Sequence, residues 1–300
     1  MIPLFPTFKK IDIEDRKIIE SYTNQYQPYS DFNFISLWAW NITGERKISM
    51  LNGNLVVRFT DYKTCEYFYS FLGTNEPKRT ISELIKFART TGVSPVLRFV
   101  PEESVSDLLE SDFLIEEDED NFDYIFSISQ LASMDGPKLK EKRSLANRFL
   151  RENPDAVFEL REINDPVTHE QIFSLIHRWA KKKELDNKKY DIENEEKAIS
   201  RLLKVAGGKK LFISCVLLHG TMIGFSIDEI LPKKYALSHF FKADISYIGI
   251  YDFLNKCVSQ YLKTKDIVLW NWEQDLGLKN IRNSKKKYHP INFLKKYKVQ

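Results

Sequence analysis

The chain has 300 residues, 43% hydrophobic and 13% aromatic, which is ample for two cores, and a net charge of only +3, which singles out no partner class. Its longest strongly apolar run, Leu211 to Leu218, falls far short of the roughly 20 residues that span a bilayer. The opening, with Pro3 and Pro6 ahead of Lys9 and Lys10, does not read as a signal peptide, so a cytoplasmic protein is expected. Counted separately, residues 1–133 carry 13 Lys+Arg against 21 Asp+Glu, and residues 134–300 carry 32 against 21. Either the second half meets an anionic partner or the halves attract one another.

The chain opens as a strand and an amphipathic helix, followed by YSDFNFISLWAW at 29–40, where Ser30 or Asp31 could cap a short aromatic helix. In KISMLNGNLVVRF, Asn52-Gly53 between two β-prone runs predicts a hairpin. A helix is expected from Ile81 to Thr91, and strands at SPVLRFV and at Asp123 to Ile128. Asp135-Gly136-Pro137 breaks the pattern, and the domain boundary is placed there, giving domains 1–133 and 134–300.

A second α/β run follows. Phe158 to Ile163 reads as a strand, and Thr168 to Glu184 and Ile192 to Ala206 read as helices, the latter stopped by Gly207-Gly208. LFISCVLLHGTMIGFSIDEIL reads as two strands joined across His219-Gly220, and YALSHFFKA as a third. A helix over 249–263, a strand at IVLWNW, a basic helix over 279–287 and a final strand at INFLKKYKV complete the order.

Three blocks, YSDFNFISLWAW, KLKEKRSLANRF at 138–149 and NWEQDLGLKNIRNSKKKYHP at 271–290, resemble the phosphatidylglycerol lysyltransferase C-terminal family. The third is the most specific: Glu273, Gln274, Asp275, Leu276, Gly277, Arg282, Lys285, Tyr288 and Pro290 match its pattern. Asn280 stands where the family usually has Gly, and Lys287 where it usually has Ser. The resemblance implies two tandem acetyltransferase-like α/β domains with mixed, mainly antiparallel sheets, the second carrying the active site. It also implies an aminoacyl-tRNA donor, with a lipid or a small molecule as acceptor, no other cofactor, and at most peripheral contact with an anionic membrane.

Moving an amino acid from a tRNA ester passes through a tetrahedral intermediate, which needs an anion for the α-ammonium and donors for the oxyanion. Glu273 and Asp275, two apart after a strand, would project to one side if the segment stays extended, and could hold the ammonium or take the acceptor's proton. Arg282 and Lys285, three apart on the next helix, suit a phosphate or an oxyanion. Tyr288 completes this catalytic set. The blander reading has Asp275 capping the helix and Arg282 pairing with Glu273.

Lys138 to Arg151 holds six basic residues and one acidic one. As a helix it would bring Lys138, Lys142 and Arg143 together to grip tRNA phosphates, with Arg148 nearby. Asp31 reads first as an N-cap and second as a substrate contact. The five histidines lack metal spacing, Gly207-Gly208-Lys209-Lys210 lacks a P-loop frame, and Cys65, Cys215 and Cys257 form no CxxC pair, so neither a metal nor a disulfide framework is expected. The rivals are an acyl-coenzyme A transferase, for which the loop Ser246 to Tyr251 keeps only one glycine of the expected pyrophosphate-binding form, and a non-catalytic RNA- or membrane-surface-binding protein.

Overall fold

The computed structural model describes residues 1–61, 64, 66–108, 112–185, 192–205 and 210–300. Cys65 and the expected stop at Gly207-Gly208 lie outside these residues, as does the side chain of Lys183. The architecture is mixed α/β and divides into two compact units. The first comprises Met1–Asp123, Gln274–Lys279 and Phe293–Gln300, and the second Tyr124–Glu273 and Asn280–Asn292. The chain therefore first changes unit at Asp123/Tyr124, ahead of the Asp135-Gly136-Pro137 break. That break is a turn between two helices of the second unit, which is why its strong turn chemistry does not mark a linker.

In the first unit the chain forms β1 (Lys9–Lys10), α1 (Arg16–Thr23), α2 (Phe34–Ala39), β2 (Lys47–Leu51), β3 (Asn54–Thr60), β4 (Tyr67–Leu72), α3 (Pro77–Thr90), β5 (Leu97–Pro101), α4 (Glu102–Val105) and β6 (Ile115–Glu117). Strands β1 to β4 make an antiparallel sheet in sequence order. The β2–β3 hairpin turns at Asn52 and Gly53, both at positive φ (51° and 80°), the geometry that an Asn-Gly pair tolerates. The cap of α2 is neither Ser30 nor Asp31 but Asn33, whose side chain accepts from the Ser36 amide at 3.2 Å. Ser30 to Phe32 instead form a separate 3-10 turn.

The second unit runs through β7 (Asp123–Ser127), α5 (Ile128–Ser133), α6 (Lys140–Glu152), β8 (Ala156–Arg161), α7 (Pro166–Leu185), α8 (Glu193–Leu202), β9 (Leu211–Leu218), β10 (Thr221–Leu231), β11 (Tyr235–Ala243), α9 (Ile250–Thr264), β12 (Leu269–Asn271) and α10 (Lys279–Lys286). Its strands lie in the order β7-β12-β11-β10-β9-β8. All neighbours are antiparallel except β11 and β12, which are parallel because α9 carries the chain back between them. Strands β9 to β11 are buried nearly throughout, as their unbroken apolar runs require, and α9 packs against α5 and α6. This is the order of elements expected from the sequence.

The last segment departs from expectation. INFLKKYKV is not one strand but two, β13 (Asn292–Leu294) and β14 (Lys296–Val299), and β14 belongs to the first unit. There it is the central strand of a sheet ordered β5-β14-β6, and Tyr297 and Val299 enter the core formed by Val56, Phe71, Leu84 and Leu97. On its opposite face Lys296 is fully buried. Its ammonium meets Asp31, Asp123 at 2.7 Å and Gln274 Oε1 at 3.0 Å, while Asp123 also accepts from the Ser30 amide (2.7 Å) and hydroxyl (2.6 Å).

Burial by itself would lower the Lys296 pKa, but Asp123 and Asp31 outweigh it and hold it above the ordinary lysine value. One ammonium serves two carboxyl groups, and burial keeps Asp31 above the usual aspartate range against the pull of Lys296. Removing the cation leaves both carboxyls buried without it. Lys296→Met should therefore destabilise the protein by about 3–5 kcal/mol in urea denaturation, whereas Lys295→Met, which gives up an ion pair with Glu117 that is open to solvent on both sides, should cost less than about 1 kcal/mol.

Candidate active site

Strands β11 and β12 pair over only three residues, Tyr235–Leu237 with Leu269–Asn271. Strand β11 continues to Ala243, whereas the chain leaves β12 at Asn271, so the parallel pair opens at its carboxyl ends, the place where open α/β sheets receive ligands. The departure is built in. Glu273 lies in the left-handed region at φ 56° and is held there by three contacts: its amide donates to Asn271 Oδ1 (2.7 Å), and its carbonyl accepts from the Tyr124 amide (3.1 Å) and from Lys285 Nζ (3.2 Å).

A β-bulge faces this opening. Ile227 pairs with Phe240 and Asp228 with Ser238, which leaves His239 as the extra residue on β11. Its imidazole is buried, with Nε2 3.4 Å from Glu229 Oε2 and Nδ1 4.0 Å from Glu273 Oε1. One imidazole thus lies between two carboxyl groups. Such a place suits a proton transfer. Beside it on β11, Lys242 pairs with Glu195 at 2.8 Å and lies 3.8 Å from the centre of the Trp179 ring.

Behind the bulge, Asp228 is fully buried and accepts hydrogen bonds from Ser226, Ser238 and, at 3.1 Å, Trp270 Nε1. Burial pushes its carboxyl up to about 7, the three hydrogen bonds pulling the other way.

The residues expected from the sequence are distributed as follows. Glu273 is at the opening, but the extended geometry that would turn Glu273 and Asp275 to one side is absent, because Glu273 and Leu276 both take positive φ (56° and 57°). Asp275 is fully buried and accepts from the Gly277 amide at 2.9 Å in a turn ahead of α10. Lys285 donates to the carbonyls of Trp272 and Glu273, fastening α10 to the end of β12. Arg282 is half-buried on the same helix.

Tyr288 is buried, its hydroxyl donating to Asp252 Oδ1 at 2.6 Å. Lys142 joins it, 3.3 Å from Asp252 and 4.4 Å from the ring centre. Burial, and then the Asp252 charge, raise the Tyr288 hydroxyl well above the tyrosine value, so it stays a donor. The tRNA-gripping face expected on α6 is not assembled. Lys138 precedes the helix, Lys142 turns inward, Arg143 donates to the Met134 carbonyl at 2.6 Å, and Arg148 pairs with Glu152 at 2.7 Å on the surface. Asp31 lies with Lys296 in the first unit.

Sequence reasoning missed His239, Glu229 and Asp228. The available signal was polar residues at 226, 228, 229, 238 and 239 within otherwise apolar strands, since the interior of a sheet receives such groups only with partners.

Two measurements test this geometry. Tyr288→Phe removes a buried hydrogen bond to a charged acceptor and should cost about 2 kcal/mol in thermal or urea unfolding, with the fold retained. Because the Asp228 carboxyl titrates near 7 in the folded protein and near 4 in the unfolded chain, the folded state keeps a proton that the unfolded chain releases. Its contribution is complete below about pH 4 and is lost as pH rises through 7. Asp228→Asn should therefore gain stability relative to the parent from pH 4 to 7, by an amount on the order of 4 kcal/mol, and hold that gain above 7.

The comparisons with known proteins agree with this architecture. A conserved protein of unknown function from Bacteroides thetaiotaomicron superposes with a TM-score of 0.84 at 26% identity, covering 100% of this chain and 99% of that one. A C-terminal domain assigned to a lysylphosphatidylglycerol synthetase from Agrobacterium fabrum gives 0.65 at 13% identity over 95% and 91% of the two chains. L-PGS from Bacillus licheniformis gives 0.63 at 15% identity over 97% and 92%. At these identities the latter two establish the fold alone. A search of curated proteins finds no match. Residues 23–300 match the family model described as phosphatidylglycerol lysyltransferase, C-terminal, and that match, spanning both units, means that the chain belongs to this family.

Proposed function

We propose that the protein is an aminoacyltransferase that takes an amino acid from its ester with tRNA and passes it to a hydroxyl or amine of an acceptor. The observation that carries this reading is His239, presented by a bulge between Glu229 and Glu273 where β11 and β12 part, in a chain of this family. In the proposed reaction Glu273 holds the ammonium of the aminoacyl group. His239 takes the proton of the attacking hydroxyl or amine as its oxygen or nitrogen bonds to the ester carbon. The bond from that carbon to the tRNA ribose oxygen then breaks, and the proton passes to the ribose oxygen. Glu229, on the other side of the ring, orients it.

Exposed basic residues of the second unit, among them Lys138, Lys140, Arg151, Lys286 and Lys287, supply the sequence-independent attraction for tRNA or for an anionic surface. Among the described residues no helix is long and apolar enough to cross a membrane, so contact with a lipid acceptor would be peripheral.

The loop before α9 supports aminoacyl-tRNA over coenzyme A. Gly249 sits at φ 83° at the N-terminus of α9, where a pyrophosphate would dock, and a Cβ on it would lie 2.0 Å from the Leu145 carbonyl oxygen. The backbone of α6 thus occupies the approach to that loop with a carbonyl, which repels phosphate. Tyr251, the last residue of that loop, turns away: its ring stacks on Phe241 and its hydroxyl bonds to the backbone of Ala243.

The test is transfer from tRNA charged with radiolabelled amino acids to a panel of lipid and amine acceptors. His239→Gln should lower the rate about 100-fold or more and Glu273→Gln at least about tenfold, while salt-dependent binding of uncharged tRNA stays within about twofold of the parent. Binding without transfer by any charged tRNA, unchanged in both variants, would reduce the protein to a basic binding surface.

A further inference from the structure

The bulge that presents His239 needs something to hold it, because an extra residue in a ladder is free to slip to either side. Three strands meet at that point, and a single side chain touches all of them. Asp228 stands on β10 at the position where the register shifts, directly opposite Ser238. It accepts from Ser226 on its own strand, from Ser238 on β11 immediately before the bulged residue, and from the Trp270 indole on β12, the last strand before the chain turns away at Glu273. Asp228 and Trp270 are fully buried, and Ser226 is as well, so water does not replace any of these bonds. The indole N–H can only donate, which fixes Asp228 as its acceptor.

We propose that Asp228 is a positioning residue that clamps β10, β11 and β12 at the register shift and so fixes the direction in which His239 enters the opening between β11 and β12. It touches no substrate. Its effect on the reaction is through His239, and to that extent the inference rests on the aminoacyl-transfer reading, while the clamp itself can be tested without it. The carboxyl is suited to this because its two oxygens can receive three donors from three directions, which a hydroxyl or a single carbonyl cannot. The clamp also stands one residue from Glu229 on β10, so it fixes that neighbour of the imidazole as well.

The experiment follows the imidazole directly. Ring nitrogen–proton correlations are recorded on protein labelled with nitrogen-15 histidine, the His239 signals being assigned by their loss in His239→Gln. Asp228→Ala should replace the single set of His239 ring signals with shifted or multiple sets while the other histidine signals stay in place. Asp228→Asn, which keeps the shape, an acceptor for Trp270 and, in its amide, a donor that a serine hydroxyl can accept, should restore one set close to that of the parent. In transfer assays Asp228→Ala should lower kcat by tenfold or more with KM for the charged tRNA within about threefold, and Asp228→Asn should recover most of kcat.

If Asp228→Ala fails to fold, Ser238→Ala removes one of the three donors and should shift the His239 signals in the same sense. His239 signals unchanged in every folded Asp228 and Ser238 variant would overturn the clamp, whatever happens to transfer. Signals displaced in these variants, with a parent protein that transfers no amino acid, would uphold the clamp and overturn the aminoacyl reading instead.

Discussion

The parallel pairing of β11 with β12 stops after three residues, and the candidate site exists because of that stop. A longer ladder would close the sheet and bury its carboxyl ends against each other. The ladder ends because Asn271 bends back to accept the Glu273 amide, which throws Glu273 into the left-handed region, and Lys285 from α10 and Tyr124 from β7 fasten the turned backbone. A left-handed glutamate persists only where its surroundings leave it no alternative. Here the surroundings are a side-chain cap, a neighbouring strand and an ammonium. The family block NWEQDLGLKNIRNSKKKYHP therefore encodes a turn and its fastenings.

The same block serves the first unit through its middle residues. Gln274 lies with Ser30, Asp31, Asp123 and Lys296 in a buried polar cluster, and Asp275 closes the turn that leads to α10. Buried ion clusters of this kind contribute little net stability relative to an apolar core, but they are intolerant of losing one partner. That property suits a place where the final strand of the chain must find one register between β5 and β6. A slip by one residue in β14 would turn Lys296 into the apolar core and expel Tyr297 and Val299 from it.

Much of the fold was legible in the sequence because it rests on local periodicity and turn chemistry. The Asn52-Gly53 and His219-Gly220 hairpins, the apolar runs of β9 to β11 and the amphipathic α3 and α9 need no knowledge of distant partners. The failures have one cause in common, which is partner choice at long range. INFLKKYKV looks like one strand, yet its two halves are separate elements, and β4 and β6, flanked by weak signals, were not foreseen. Likewise the basic residues of 138–151 share a sequence neighbourhood without sharing a face, because the helix begins only at Lys140 and the Asp252–Tyr288 pair draws Lys142 inward.

By itself the sequence determined the α/β class, the order of elements in the second unit, the family and the presence of Glu273 just after a strand. All of these depend on residue types at short spacing. Only the tertiary structure decided that Glu273 and Asp275 do not act from one side, that Lys285 and Tyr288 hold the framework, and that His239 and Glu229, 34 or more residues before Glu273 in the chain, are its neighbours. The physical reason is that a bulge, a left-handed turn and a buried carboxylate are each costly alone, and become stable only when strands far apart in sequence supply their hydrogen bonds together.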